Sequence, residues 1–86
     1  MESIITNRDT CFLCNAPATD THHCVFGRFR KLSDKYGLTV PLCRRCHDFV
    51  HKNAKEALML KQIAQGEFDA KYGEGEFQKV FGVNFF

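Results

Sequence analysis

The chain has 86 residues, of which 44% are hydrophobic and 26% charged, with a formal net charge of +2. A single domain of that size has a marginal core and commonly needs a staple, which the five cysteines can supply. No apolar run approaches membrane-spanning length, and the N-terminal MESIITNRDT lacks the apolar centre of a signal peptide. Cytoplasmic residence with zinc-bound thiolates is therefore expected in place of disulfides.

In chain order, the first ten residues read as loosely ordered. CFLCNAPA reads as a zinc knuckle, two cysteines in a tight turn. THHCVF, from Thr21 to Phe26, is rich in β-formers and stopped by Gly27. GRFRKLSDKYG reads as a basic connection bounded by glycines. LTVPL, from Leu38 to Leu42, predicts a second short strand, with Pro41 at an edge or strand end. A helix is expected from Arg44 to about Lys52. Asn53 with Glu56 three residues on resembles a capping box and starts another helix. Ala57, Leu60, Ala64, Phe68 and Tyr72 form its apolar stripe. Leu58, Met59 and Ile63 widen that stripe, so packing on two sides is expected, and Gly66 marks a candidate bend. Tyr72 and Gly73 end the helix. GEFQKVFG predicts a short final helix with Phe77, Val80 and Phe81 on one face. Val83, Phe85 and Phe86 are expected to fold back on the core. The organisation expected is one α+β unit over residues 1–86, with the knuckles and strands in 11–52 and a helical extension in 53–86.

Two cysteine pairs, Cys11-x-x-Cys14 and Cys43-x-x-Cys46, have the ligand spacing of a tetrahedral structural zinc site. The 28 residues between Cys14 and Cys43 exceed ordinary zinc-ribbon spacing, so a folded insert is expected there. Apparent binding energies of about 10–16 kcal/mol for structural zinc peptides are large enough to decide whether so small a chain folds. Cys43, Cys46, His47 and His51 form a rival ligand set. It strands Cys11 and Cys14, and it needs two adjacent helix residues, about 100° apart, to face one ion. Cys24 reads as a small buried strand residue.

All four histidines occur in pairs. His47-x-x-x-His51 places two imidazoles one helical turn apart on one face, suited to a metal. His22 and His23 are adjacent on a strand and point to opposite faces. One of them can bind an ion while the other stands free as a base, the division that metal-assisted phosphodiester hydrolysis requires. From Cys24 to His47 the cations Arg28, Arg30, Lys31, Lys35, Arg44 and Arg45 meet only one acid, Asp34. This local excess around the ligand candidates suits a polyanion, although an ordinary solvated loop has the same composition. Overall charge is the weaker clue, since four thiolates and one zinc ion lower it from +2 to zero.

From Cys11 to about His51, the first knuckle, the HHxxF segment, the basic loop and PLCxxCHxxxH resemble the HNH endonuclease family of the ββα-metal fold. KLSDKYGLTVPLC and EFxxKYGxxxFxxxFGxNF look like small phage-associated members. The resemblance implies a metal-dependent nuclease cleaving DNA phosphodiesters in a bacterial or phage-infected cytoplasm, with other phage or host DNA-processing proteins as further partners and no membrane. It implies His22, His47 and His51 as ligands of one catalytic divalent cation (Mg²⁺, Mn²⁺, Ni²⁺ or Zn²⁺), beside the structural Zn²⁺ on Cys11, Cys14, Cys43 and Cys46. His23 is then the general base. Arg28, Arg30, Lys31, Arg44 and Arg45 are the candidate phosphate contacts. With no base-reading helix apparent, low sequence specificity is expected. The chain departs from the family pattern at Leu38, which stands where the family's middle Asn orients the loop of the general base. Two rivals remain: a non-catalytic nucleic-acid-binding zinc module, and a protein-interaction domain using the aromatic C-terminus.

Overall fold

A computed structural model describes residues 3–86. The architecture is α+β: a two-stranded antiparallel sheet with helices around it. The elements are β1 (Asp20–His23), a 3₁₀ turn (Gly27–Phe29), α1 (Arg30–Tyr36), β2 (Thr39–Leu42), α2 (Arg44–Lys52), α3 (Ala54–Tyr72) and α4 (Glu76–Phe81). None of the described helices is long and apolar enough to cross a membrane.

The strands pair in the register Asp20↔Leu42, Thr21↔Pro41, His22↔Val40 and His23↔Thr39. β1 is shorter than the β-forming run predicts. It ends at His23, and Cys24 and Val25 continue as buried irregular chain, with the Cys24 N–H bonded to the Leu38 carbonyl. Pro41 lies inside β2, where its carbonyl accepts from Phe12 N–H. The first knuckle is thereby tied to the strand leading into the second.

The insert between the strands corrects the sequence reading. The expected basic loop is mostly helix, the 3₁₀ turn followed by α1. Gly37 closes α1 with φ +70°, a left-handed conformation glycine adopts without strain. The buried Ser33 donates through Oγ to the Val25 carbonyl, which fixes α1 against the chain leaving β1. The N-terminal segment is also corrected. Ile4 N–H bonds the Gly37 carbonyl, Ser3 Oγ bonds the Thr39 carbonyl, and Ile4 and Ile5 pack on the core.

α3 starts as the capping signal predicts, with Asn53 Oδ1 accepting from Glu56 N–H, and it continues unbroken through Gly66. Ala57, Leu60, Ala64 and Phe68 are buried, but Tyr72 is exposed. Leu58 and Met59 are exposed too, so the helix buries one face, where packing on two was expected. On α4, Phe77 and Phe81 are buried and Val80 is not. Phe68 meets Phe81 edge-on at 5.7 Å, and Phe77 stacks on Phe81 at 4.3 Å. Tyr36 of α1 joins the group at 5.1 Å from Phe68. Aromatic pairs at these separations add about 0.5–1.5 kcal/mol each beyond area burial. Val83 and Phe85 return to the core, whereas Phe86 is exposed. The buried Gln65 fastens this return by donating to Asn84 Oδ1 and accepting from Phe85 N–H.

Candidate metal centres

The sheet and α2 bring the cysteines together. In the first knuckle, Asn15 takes φ +66°, its N–H bonds the Cys11 carbonyl, and Cys11 N–H bonds the Ala16 carbonyl. Asparagine tolerates this left-handed turn better than most residues. In the second, Cys43 is the N-cap of α2, its sulfur accepting from Cys46 N–H at 3.5 Å. Cys11, Cys14, Cys43 and Cys46 then place their sulfurs within 4.8 Å of one another. Cys14 and Cys43 Sγ are 3.7 Å apart. Sulfurs held tetrahedrally about 2.3 Å from zinc stand about 3.8 Å apart. The four thiols could therefore hold a structural zinc.

Their protonation fits that chemistry. Burial raises the Cys11 pKa, but hydrogen bonds from the backbone of Cys43, Cys14 and Leu13 outweigh it and bring the thiol down to about 6. Cys46 is pushed up to about 12 by burial and by sharing hydrogen bonds with the other three cysteines. A bound cation would offset the cost of gathering thiolates in so small a space. Among the described residues Cys24 belongs to no ligand cluster; it is fully buried and burial pushes its thiol up to about 12.

A second cluster lies on the other side of Cys46. His22 comes from β1, and His47 and His51 come from successive turns of α2. Their ring nitrogens all lie within 4.8 Å of one another, and His47 Nε2 is 3.0 Å from His51 Nε2. Two imidazole nitrogens about 2.1 Å from one ion, at 90–110° to each other, are about 3.0–3.4 Å apart. His22 is 1% exposed, and its buried Nε2 has no hydrogen-bond partner among the described residues. A buried polar atom of that kind costs about 1–3 kcal/mol unless something satisfies it. Burial, followed by the neighbouring His47 and His51, lowers the His22 pKa to about 4. The ring is thus neutral at physiological pH, as a ligand must be. The residues present fit a divalent cation. The rival set of Cys43, Cys46, His47 and His51 does not assemble, because sulfurs and imidazoles separate into two clusters.

Asp20 was not among the residues singled out from the sequence. It opens β1, and its Oδ2 accepts from His47 Nδ1–H at 2.8 Å. The carboxylate can only accept, so the proton sits on Nδ1 and the lone pair of Nε2 points to the other histidines. That hydrogen bond chiefly, opposed by burial and helped by Arg44, holds the Asp20 carboxyl below its ordinary pKa.

His22 and His23 diverge as strand alternation predicts, yet both border one cavity of about 460 Å³, together with Thr21, Phe26, Gly27, Arg30, His47 and His51. His23 Nε2 is 3.3 Å from Asp34 Oδ1. The candidate phosphate contacts do not converge equally. Arg30 lines the cavity, and Lys31 lines an adjoining hollow with His23, Arg30 and Asp34. Arg28 lies over the Phe29 ring at 4.7 Å. Arg44 sits 3.6 Å from Asp20 and Arg45 is exposed. Lys61, unremarked in the sequence, reaches over the Phe26 ring at 4.5 Å and adds positive charge beside His22. Leu38 is fully buried in the core and its carbonyl is bonded to Cys24 N–H. No protein-family model, curated protein or solved structure matches the chain.

Proposed function

We propose that the protein is a metal-dependent endonuclease of the HNH type that hydrolyses DNA phosphodiester bonds with little sequence preference. The observation that carries this reading is the histidine centre. Three histidines each bring a ring nitrogen together, His22 carries a buried, unsatisfied Nε2, and a fourth histidine and an arginine border the same cavity. A module that only binds nucleic acid has no use for a desolvated, partnerless His22. Leaving aside the 3₁₀ turn and α1 inserted between the strands, the succession of β1, β2 and α2 is the one the ββα-metal resemblance implies.

His22, His47 and His51 would hold the catalytic ion, with Asp20 fixing the ring of His47. When bound, a divalent cation supplies charge stabilisation to the phosphate and the leaving oxygen. His23 takes the proton from the attacking water. Arg30, the one guanidinium lining the cavity, offers a forked donor to a phosphate oxygen. Both clusters are built on α2, with Cys43 and Cys46 at its start and His47 and His51 behind them. Zinc on the cysteines would therefore set the position of two catalytic-ion ligands.

Plasmid cleavage with Mg²⁺, Mn²⁺, Ni²⁺ or Zn²⁺, run beside His23→Ala, tests the reading. The expected result is cleavage by the native chain and a loss of at least about 100-fold in the variant, within the range for a general base, with its zinc content unchanged. Absence of cleavage with every metal, or equal cleavage by both proteins, refutes it.

A further inference from the structure

The Leu38 side chain is apolar and fully buried in the core, so it offers His23 no polar atom, and the Leu38 carbonyl accepts from Cys24 N–H. The group that does reach the ring is a carboxylate from the helix between the strands. Asp34 Oδ1 lies 3.3 Å from His23 Nε2. The backbone is held at both ends of this contact, and the Asp34 side chain itself is 70% exposed. His23 is paired with Thr39 in the sheet, and Asp34 follows Ser33, whose hydroxyl bonds the Val25 carbonyl two residues beyond His23. The composition around it is also informative: Asp34 is the only acid between Cys24 and His47, among six cations. An acid in a strip that faces a polyanion weakens that attraction, so its place against the one histidine outside the metal cluster calls for a use.

We propose that Asp34 is the positioning residue for His23, a role that rests on the nuclease reading. A carboxylate accepts only, so the His23 proton resides on Nε2 and the bare Nδ1 is left for water. The ring stands between two hollows, the one it shares with Asp34, Arg30 and Lys31 and the one it shares with the histidine centre. Asp34 anchors it from the first side and leaves its other edge to the second. Among the described residues Asp34 belongs to neither ligand cluster and its side chain bonds only His23, so it acts through that ring.

The test uses the full chain with its cysteine-bound zinc, as native protein, Asp34→Ala and Asp34→Asn. Asn keeps an oxygen at the same reach, whereas Ala removes it. The first readout is ¹³C relaxation of the His23 ring without added catalytic metal. The ring order parameter is expected to fall from about 0.85 to below about 0.6 in the Ala variant, the contrast between rigid and flexible groups, and to stay high in the Asn variant. The second is DNA cleavage, where kcat is expected to drop about 10- to 100-fold in the Ala variant, the scale of a lost orientation. KM for DNA should stay unchanged or fall, because a negative charge has gone. Equal ring order in all three proteins overturns the proposal, and so does an Ala variant with a mobile ring and native kcat. A native chain that cleaves nothing defeats the nuclease reading, while the ring measurement still decides whether Asp34 holds His23.

Discussion

Replacing Asp20 by Ala should weaken the histidine centre without touching any of its three ligand side chains. Asp20 Oδ2 is 2.8 Å from His47 Nδ1, and the aspartate side chain is only 14% exposed. A short, partly sheltered, charge-assisted bond of this kind holds the ring in the orientation and tautomer a metal requires. Outer carboxylates on ligating histidines typically contribute 10- to 100-fold to metal affinity, about 1.4–2.7 kcal/mol. Arg44, 74% exposed and 3.6 Å away, contributes little through screened charge, so the loss should come almost wholly from His47. The assay is calorimetric titration of Ni²⁺ into protein that retains its cysteine-bound zinc. The native chain should bind one ion, and Asp20→Ala should bind it at least tenfold more weakly with its fold unchanged. Equal affinity in the two proteins would refute the claim that Asp20 sets the His47 ring.

Three further outcomes are expected. Mild chelation should leave about one zinc per chain, and Cys43→Ser should abolish that zinc and the cooperative unfolding transition, read by thiol-competition assay and circular dichroism; a folded, metal-free variant would defeat the staple argument. His22 is lowered to about 4 when folded, while an exposed histidine titrates near about 6.5, so the unfolded chain binds the extra proton. With no cation at the histidine centre, this contribution to stability is then complete above pH ~6.5 and declines as pH falls toward ~4, by about 1–2 kcal/mol at pH ~5 after allowance for water in the adjoining cavity; urea midpoints of His22→Phe should lack this slope. Gly66 lies within α3, is exposed, and has open space where a Cβ would go, so Gly66→Ala should raise the unfolding free energy from urea titration by about 0.5–1 kcal/mol.

The candidate metal ligands are the most legible part of the chain because their geometry is local. Cys-x-x-Cys closes on one turn, and His-x-x-x-His faces one side of a helix, whatever surrounds them. Strand alternation likewise separated His22 from His23 before any packing was known. The exposed Leu58, Met59 and Val80 show the opposite case. Apolar type alone does not say which face finds a partner, because even folded surfaces are more than half apolar.

α1 was illegible for a related reason. It is seven residues long, its buried member is Ser33, and so no apolar period marks it. Yet α1 carries Asp34 to His23, and the strand register carries Asp20 to His47, across 11 and 27 residues of chain. Sequence by itself determined which side chains could bind metal, since ligand type and near spacing are written in consecutive residues. Tertiary structure alone decided which carboxylate supports which imidazole, because those contacts depend on how a sheet pairs and where a short polar helix docks.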